Sequence, residues 1–537
     1  MTESTQRHST DSALSPEITL RVRSLASTIA AVLALLLIAG GLYGRGKQTS
    51  AERQPEPGSL AKPLVSAPVP GKMGEWTVPA MLCAPDQACL VGGNAAVLHN
   101  GNVLFYYYPP PSGTNSIALV LDAVSGQLKD VSLPFAMDIF CSGLSFMPNG
   151  QLLVTGGNLP GAAIGHSGTF NAVIFDPVTL SWSSAQNMNY ARWYPSTVEL
   201  PGGTMLELSG NDNTGMVRQK VMETYNYQTN AWTVLPPSAD MPPTTLHWSA
   251  YPRMVVLPSG MVFLAAPDTM SYEFNPSTNT WSYVAENNFG FRFYAPHVLL
   301  PGLQRVLVAG GSAVEGPPQG VSTNTAEVID FSASSPAWNY TGSMTYARIN
   351  HNLVLLADGT VLAVGGGGGS GAYLSPVLTP ELYNPTTGTW TLMAPQIVPR
   401  TYHSTGVLLP DGRVLSAGSN DTGSMEETYE IFSPPYLFQG PRPVISSVPA
   451  ALSYGANFTV TTPDAASIVR MALIKPGVTT HADAFDQRYV DLTFTIGSGQ
   501  ITATAPASGN YAPPGYYMLV IVNSSGVPSV MRFVQVG

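Results

Sequence analysis

Met147-Pro148-Asn149-Gly150-Gln151-Leu152-Leu153-Val154-Thr155-Gly156-Gly157 reads as an Asn-Gly hairpin turn feeding an apolar strand that ends on two glycines. Asn-Gly marks a hairpin because such turns need positive φ, which glycine adopts at little cost. Downstream, Phe175-Asp176-Pro177 leads to Trp182, an aromatic pair bracketing an Asx-Pro turn. Both signatures recur. Hairpin glycines fall at Gly101, Gly150, Gly203, Gly260, Gly302, Gly359 and Gly412, and apolar strands ending in Gly-Gly return at 306–311 and 361–366. Phe274-Asn275-Pro276 precedes Trp281, and Tyr383-Asn384-Pro385 precedes Trp390. Trp182, Trp232, Trp281, Trp338 and Trp390 are spaced 50, 49, 57 and 52 residues apart. A period near fifty with several short strands per repeat is the mark of a kelch-type β-propeller, and seven hairpins predict seven blades. The strand around Thr428–Phe432 is expected to close the ring against the first blade near Ala95–Tyr107.

Composition agrees. Of 537 residues, 52 are Gly, 47 are Pro and only 10% are charged, which suits many short strands joined by tight turns. A net charge of −10 with 23 Lys and Arg argues against nucleic acid as a partner. Near Pro441 the repeat stops. Residues 441–537, with strands such as Tyr517-Met518-Leu519-Val520-Ile521-Val522 and Pro/Gly/Asn turns, read as an immunoglobulin-like sandwich. The predicted organisation is a polar tail over 1–24, a hydrophobic helix over 25–43, a linker over 44–74, the propeller over 75–440 and the sandwich over 441–537. Leu25–Tyr43 carries no charge and is near the length that spans a bilayer, so it fits a membrane anchor or a secretory signal equally. Either places the protein in the cell envelope or outside the cell, as an expected monomer. There, Cys83 and Cys89 are expected to pair, leaving Cys141 alone.

Nine positions before the hairpin glycine, the repeats carry Gly92, Cys141, Tyr194, Tyr251, Phe293, Asn350 and His403, with the register at the Gly302 turn irregular. Equal offset in equivalent strands means equal height on the pore wall. Cys141, Tyr194 and His403, with Tyr402 beside the last, form an N/O/S set suited to tetragonal Cu(II). Neighbouring strand residues face opposite ways. Tyr402 and His403 can share a metal only at a turn or strand end, which puts the site at one mouth of the pore. His99 and His351 read as structural or surface residues, and His166, His247 and His297 carry no assignment.

Four local motifs, Phe140-Cys141-Ser142-Gly143, Arg192-Trp193-Tyr194-Pro195-Ser196, Arg400-Thr401-Tyr402-His403-Ser404 and Thr480-His481, together resemble the copper-radical oxidases, the galactose oxidase and glyoxal oxidase family. The Arg-Trp-Tyr form is closer to the glyoxal oxidase branch. The resemblance implies one copper ion held by Tyr194, Tyr402, His403 and His481, the last reaching in from the C-terminal domain. It implies a thioether between Cys141 and Tyr194, whose ring stores the radical, and Tyr402 as general base. It further implies oxidation of small aldehydes or primary alcohols, glycan alcohols among them, by O2 with release of hydrogen peroxide. Trp193 and Trp248 are the candidates for a ring stacked on the radical. The competing expectation is a catalytically silent propeller that binds glycan or protein.

Overall fold

The computed structural model describes residues 69–84, 89–162, 165–242, 251–314, 322–368, 375–420 and 425–537. The expected tail and hydrophobic helix, most of the linker, His8, His247 and Trp248 lie outside them. Among the described residues the architecture is all-β. The one α-helical turn, Pro70–Met73, is four residues long, and no helix is long and apolar enough to cross a membrane.

Seven antiparallel sheets of short strands follow one another along the chain. Their first strands are Asn94–Val97, Asp138–Phe146, Ser196–Glu199, Arg253–Val256, His297–Leu299, Ile349–Leu355 and Thr405–Leu408. From the second sheet onward each first strand lies against the next, and Thr405–Leu408 lies against Asn94–Val97. These strands are buried on both faces, and so are the second strands, Leu152–Asn158, Arg305–Ala309 and Val361–Gly367, which carry the apolar runs of the sequence.

The periodic tryptophans pin each sheet to the one before. The indole N–H of Trp182 donates to Val131 O at 2.7 Å, that of Trp232 to Gln186 O at 2.8 Å, that of Trp281 to Ala239 O at 2.9 Å and that of Trp390 to Gly342 O at 2.7 Å. Trp76 does the same for the seventh sheet, donating to Ala394 O at 2.8 Å. This corrects the expected closure. Thr428–Ser433 does not pair with residues 95–107; it pairs with Glu75–Trp76 and Ala80–Met81, which complete the seventh sheet from the N-terminal side. Phe432-Ser433-Pro434 is the outer-strand signature of that sheet, and its tryptophan sits at the other end of the chain, with ring centroids 5.0 Å apart.

The terminal Gly-Gly steps have a steric cause. A Cβ at Gly156 would lie 2.3 Å from Arg192 O, and one at Gly310 would lie 2.4 Å from Arg348 O. The next sheet's arginine therefore rests directly on glycine backbone. Those arginines are buried and each meets a glutamate of its own sheet: Arg192–Glu223 at 3.1 Å, Arg292–Glu327 at 2.6 Å, Arg348–Glu381 at 2.8 Å and Arg400–Glu430 at 3.1 Å. Each also donates to a backbone carbonyl of the adjoining strand, so the charge is both paired and hydrogen-bonded, as burial requires.

Residues 451–536 form a five-stranded and a three-stranded sheet that share one apolar core, with Phe458, Val460 and Ile501 facing Leu473, Leu519 and Val534. From here a segment enters the ring. Val478–Thr480 pairs with Asn94–Ala96 and widens the first sheet. Around it, Asp486 accepts from Ser145 Oγ and Phe146 N, Lys475 pairs with Glu199, Arg488 donates to Val256 O, Asp483 meets His297, and Gln487 donates to Leu353 O at 2.9 Å. Six of the seven sheets thus hold this one segment. Cys83 and Cys89 form the expected disulfide.

Candidate metal centre

Cys141, Tyr194, Tyr251, Tyr294, Asn350 and His403 share a backbone feature: all have φ between 50° and 64°. Non-glycine residues seldom occupy this left-handed region, and such strain concentrates at functional sites. A ladder links the positions, with Tyr194 N donating to Cys141 O at 3.0 Å, Tyr251 N to Tyr194 O at 3.2 Å and Asn350 N to Tyr294 O at 3.2 Å. Here the expected ring needs one correction. The fifth member is Tyr294, not Phe293. In six hairpins the turn glycine donates to the leucine or methionine three residues earlier; in the fifth, Leu303 N makes that bond to Leu300 O, so the register counts from Leu303 rather than Gly302.

The seventh repeat carries one residue more than its equivalents. Arg192, Arg292 and Arg348 each stand two positions before the ring residue, whereas Arg400 stands three before His403. The extra residue makes a turn before the strand Thr405–Leu408, and it lets Tyr402 and His403 both reach the site. Opposite them, His481 and Ala482 form a two-residue turn with φ of 50° and 65°, as a tight hairpin demands.

The four motifs converge. Tyr194 Oη and Tyr402 Oη are 2.6 Å apart, and Cys141 Sγ is 3.9 Å from His481 Nε2. Donor atoms of Cys141, His403 and His481 all lie within 4.8 Å of one another. The imidazoles of His403 and His481 meet edge to face with centroids 4.3 Å apart. Tyr294 Oη, which the register slip concealed, is 3.1 Å from Tyr402 Oη.

Both histidines are held neutral. Burial drives His403 down to about 3, and burial followed by the neighbouring His403 holds His481 well below the usual imidazole range. Their tautomers follow from their partners. Asn420 Oδ1 lies 2.5 Å from His403 Nδ1 and can only accept, so the proton sits on Nδ1. Thr480 Oγ1 lies 2.8 Å from Gly93 O and 2.6 Å from His481 Nδ1. Its single proton goes to the carbonyl, so Nδ1–H of His481 must donate to it. Each Nε2 then carries a free lone pair facing the site. Nε2 of His403 has no hydrogen-bond partner among the described residues and is a buried donor that a metal ion would satisfy. Two neutral imidazoles and two phenols are the N/O donor set that Cu(II) prefers. Burial raises the Cys141 thiol and the Tyr194 phenol well above their ordinary values, so without a cation both stay protonated. Thr480→Val removes the hydroxyl that orients His481. It is expected to weaken copper affinity by at least about tenfold, the scale of outer-sphere substitutions; an unchanged affinity in a competitive chelator titration would show that the hydroxyl does not set the tautomer.

Trp193 takes the stacking position, its indole lying 3.6 Å from the Tyr194 ring at an interplanar angle of 7°. Its N–H donates to Asn158 Oδ1 at 2.8 Å, and His166 packs against it. Asn420, Tyr294 and Trp76 were not singled out in the sequence. His297 meets Asp483 beneath the His481 turn, His99 stacks on Tyr516, and His351 is fully buried.

The glyoxal oxidase N-terminus family profile matches residues 114–436, and the galactose oxidase-like early set domain profile matches residues 442–536. The chain is 30% identical over 463 residues to an aldehyde oxidase GLOX of Vitis pseudoreticulata, covering 78% of this chain and 85% of that one. It is 29% identical over 426 residues to a galactose oxidase of Gibberella zeae, covering 74% of this chain and spanning 61% of that relative's length. In fold it is similar to a fungal alcohol oxidase of the AA5 family solved in complex with copper, with a TM-score of 0.75, 24% identity, and coverage of 87% of this chain and all of that one.

Proposed function

This chain belongs to the glyoxal oxidase family, and from that premise we propose that it is a copper-radical oxidase acting on small aldehydes or primary alcohols with O2. The observation that carries the reading is the meeting of Cys141, Tyr194, Tyr402, His403 and His481, from four separate stretches, at one buried point. We read the seven sheets as blades of a kelch-type propeller over 75–440 and the C-terminal sheets as an immunoglobulin-like domain over 441–537 that contributes His481. The uncharged stretch 25–43 and the Cys83–Cys89 disulfide support a site outside the cytoplasm, with the stretch as anchor or export signal. A monomeric state, and glycan alcohols as further substrates, belong to the same reading.

Tyr194, Tyr402, His403 and His481 would hold the copper. When bound, it supplies a one-electron acceptor and a Lewis-acidic position for the substrate oxygen. The protein supplies the rest. Removing two electrons from a carbon calls for a second one-electron store, and the ring of Tyr194 is placed to be it. Linking Cys141 Sγ to that ring forms one C–S bond and releases two hydrogens, which O2 accepts as hydrogen peroxide. Sulfur substitution and the Trp193 stack both make the oxidised ring easier to reach. Tyr402 Oη takes the substrate hydroxyl proton, and Tyr194 Oη then takes a hydrogen atom from the carbon. For an alcohol the balance is RCH2OH + O2 → RCHO + H2O2; for a hydrated aldehyde it is RCH(OH)2 + O2 → RCOOH + H2O2. Burial of Cys141, Tyr194, His403 and His481, with Tyr402 partly exposed, keeps bulk water from the oxidised ring.

A peroxide-coupled screen of copper-loaded protein against aldehydes, primary alcohols and glycans tests the proposal. Peroxide is expected with at least one small aldehyde or primary alcohol. Tightly bound copper with no peroxide from any of them would favour the silent, glycan- or protein-binding propeller.

A further inference from the structure

Tyr251 touches both partners of the proposed cross-link, Cys141 through its strand and Tyr194 directly. Its N–H donates to Tyr194 O at 3.2 Å. Its hydroxyl donates to Ser142 O at 3.0 Å, the carbonyl next to Cys141. Its ring stacks on Tyr194 with centroids 4.7 Å apart and an interplanar angle of 22°. Trp193 already covers one face of Tyr194 at 3.6 Å, so Tyr251 covers the other and the phenol is sandwiched. The clamp is rigid: Tyr251 is fully buried, has φ of 57°, and is braced by Phe485 of the entering C-terminal segment with centroids 5.6 Å apart. Burial also pushes its own phenol far above the ordinary range, so it remains a neutral hydrogen-bond donor.

Cys141 lies within Asp138–Phe146 and Tyr194 just before Ser196–Glu199, strands of different sheets that no pairing joins. One backbone bond, Tyr194 N to Cys141 O, ties their main chains, and the thiol of Cys141 is within hydrogen-bonding reach of the Tyr194 side chain. The approach of Sγ to the ring therefore depends on a third residue that fixes the ring plane relative to the Cys141 strand. We infer that Tyr251 is a positioning residue that holds the Tyr194 ring and the Cys141 strand in register for thioether formation, and that it forms the second face of the radical's aromatic sandwich. The inference rests on the oxidase reading above. It concerns the step in which the S–H of Cys141 and a ring C–H of Tyr194 are replaced by a C–S bond, with both electrons and both protons passing to dioxygen.

The test uses the full chain purified free of copper, then given copper and dioxygen, with the linked peptide followed over time by mass spectrometry. Tyr251→Phe keeps the ring and removes the bond to Ser142; Tyr251→Leu removes the ring as well. Both are expected to link more slowly than wild type, the leucine variant by on the order of tenfold, the scale of one aromatic pair together with one hydrogen bond. Tyr251→Phe keeps the ring against Tyr194 and His481 and touches neither imidazole Nδ1, so its copper affinity should stay within about tenfold of wild type; a merely structural role would lower affinity and linking together. If the leucine variant does not fold, the phenylalanine variant decides: slowed linking supports the inference and an unchanged rate overturns it. Wild-type protein that links while both variants link equally fast overturns this inference alone. Wild-type protein that never links overturns the oxidase reading, and this inference with it.

Discussion

Replacing Cys141 with serine is expected to leave the seven sheets and the copper affinity intact while lowering peroxide production by at least about a thousandfold, the scale on which removing one member of a catalytic unit is felt. The reasoning starts from what Sγ touches. It is buried, 3.9 Å from His481 Nε2 and 4.0 Å from Tyr108 Oη, in a site whose proposed metal donors are two imidazoles and two phenols. Serine is nearly isosteric, and a hydroxyl there finds the same polar neighbours, so the cost of burial stays within about 1–3 kcal/mol. A hydroxyl cannot make the thioether. Tyr194 then remains a plain phenol, without the sulfur substituent that makes its neutral phenoxyl form easier to reach. Turnover within tenfold of wild type would mean that the cysteine plays no part in the chemistry.

His481→Ala carries the second large effect. It is expected to weaken copper binding by more than about a hundredfold, since even outer-sphere changes cost tenfold to a hundredfold. The residue is placed by a segment that six sheets grip, so the hairpin should survive loss of the side chain: Val478–Thr480 stays paired with Asn94–Ala96, and Asp486 stays bonded to Ser145 and Phe146. The variant thus separates folding from ligation. A copper titration is the direct readout, with the thermal midpoint of the metal-free protein as control. Metal-free variant and wild type should melt together, whereas copper should stabilise wild type alone. Copper affinity equal to wild type would remove His481 from the ligand set.

Much of this was visible in the sequence because a repeat multiplies weak signals. A single Asn-Gly turn or one Trp says little. Trp182, Trp232, Trp281, Trp338 and Trp390 at intervals near fifty say that one structural task, an indole N–H bonding the preceding sheet or the segment after it, is done again and again. The same regularity made Cys141, Tyr194 and His403 comparable, since counting from the turn glycine is counting along the same strand. Where the regularity breaks, the reading broke with it. Leu303 adopts the turn conformation normally given to glycine, with φ of 59°, which hid Tyr294 one position away. Trp76 performs the indole task for the seventh sheet from hundreds of residues upstream of Phe432, beyond any local periodicity. The groups that fix the histidine tautomers, Asn420 and Gly93, lie in loops and strand ends whose sequence carries no periodic mark; only the fold brings them to Nδ1 of His403 and to Thr480. The extra residue between Arg400 and His403 was there to be counted. Its meaning needed the buried Arg–Glu pairs, which supply a second reference point in each sheet.

The most direct test of the central claim is the mass of the peptide that contains residue 141 after copper and dioxygen are supplied. Proteolysis should yield a single species joining the Cys141 and Tyr194 peptides, lighter by two hydrogens than their sum and resistant to reduction. Two separate peptides, with the Cys141 thiol still open to alkylation, would contradict it.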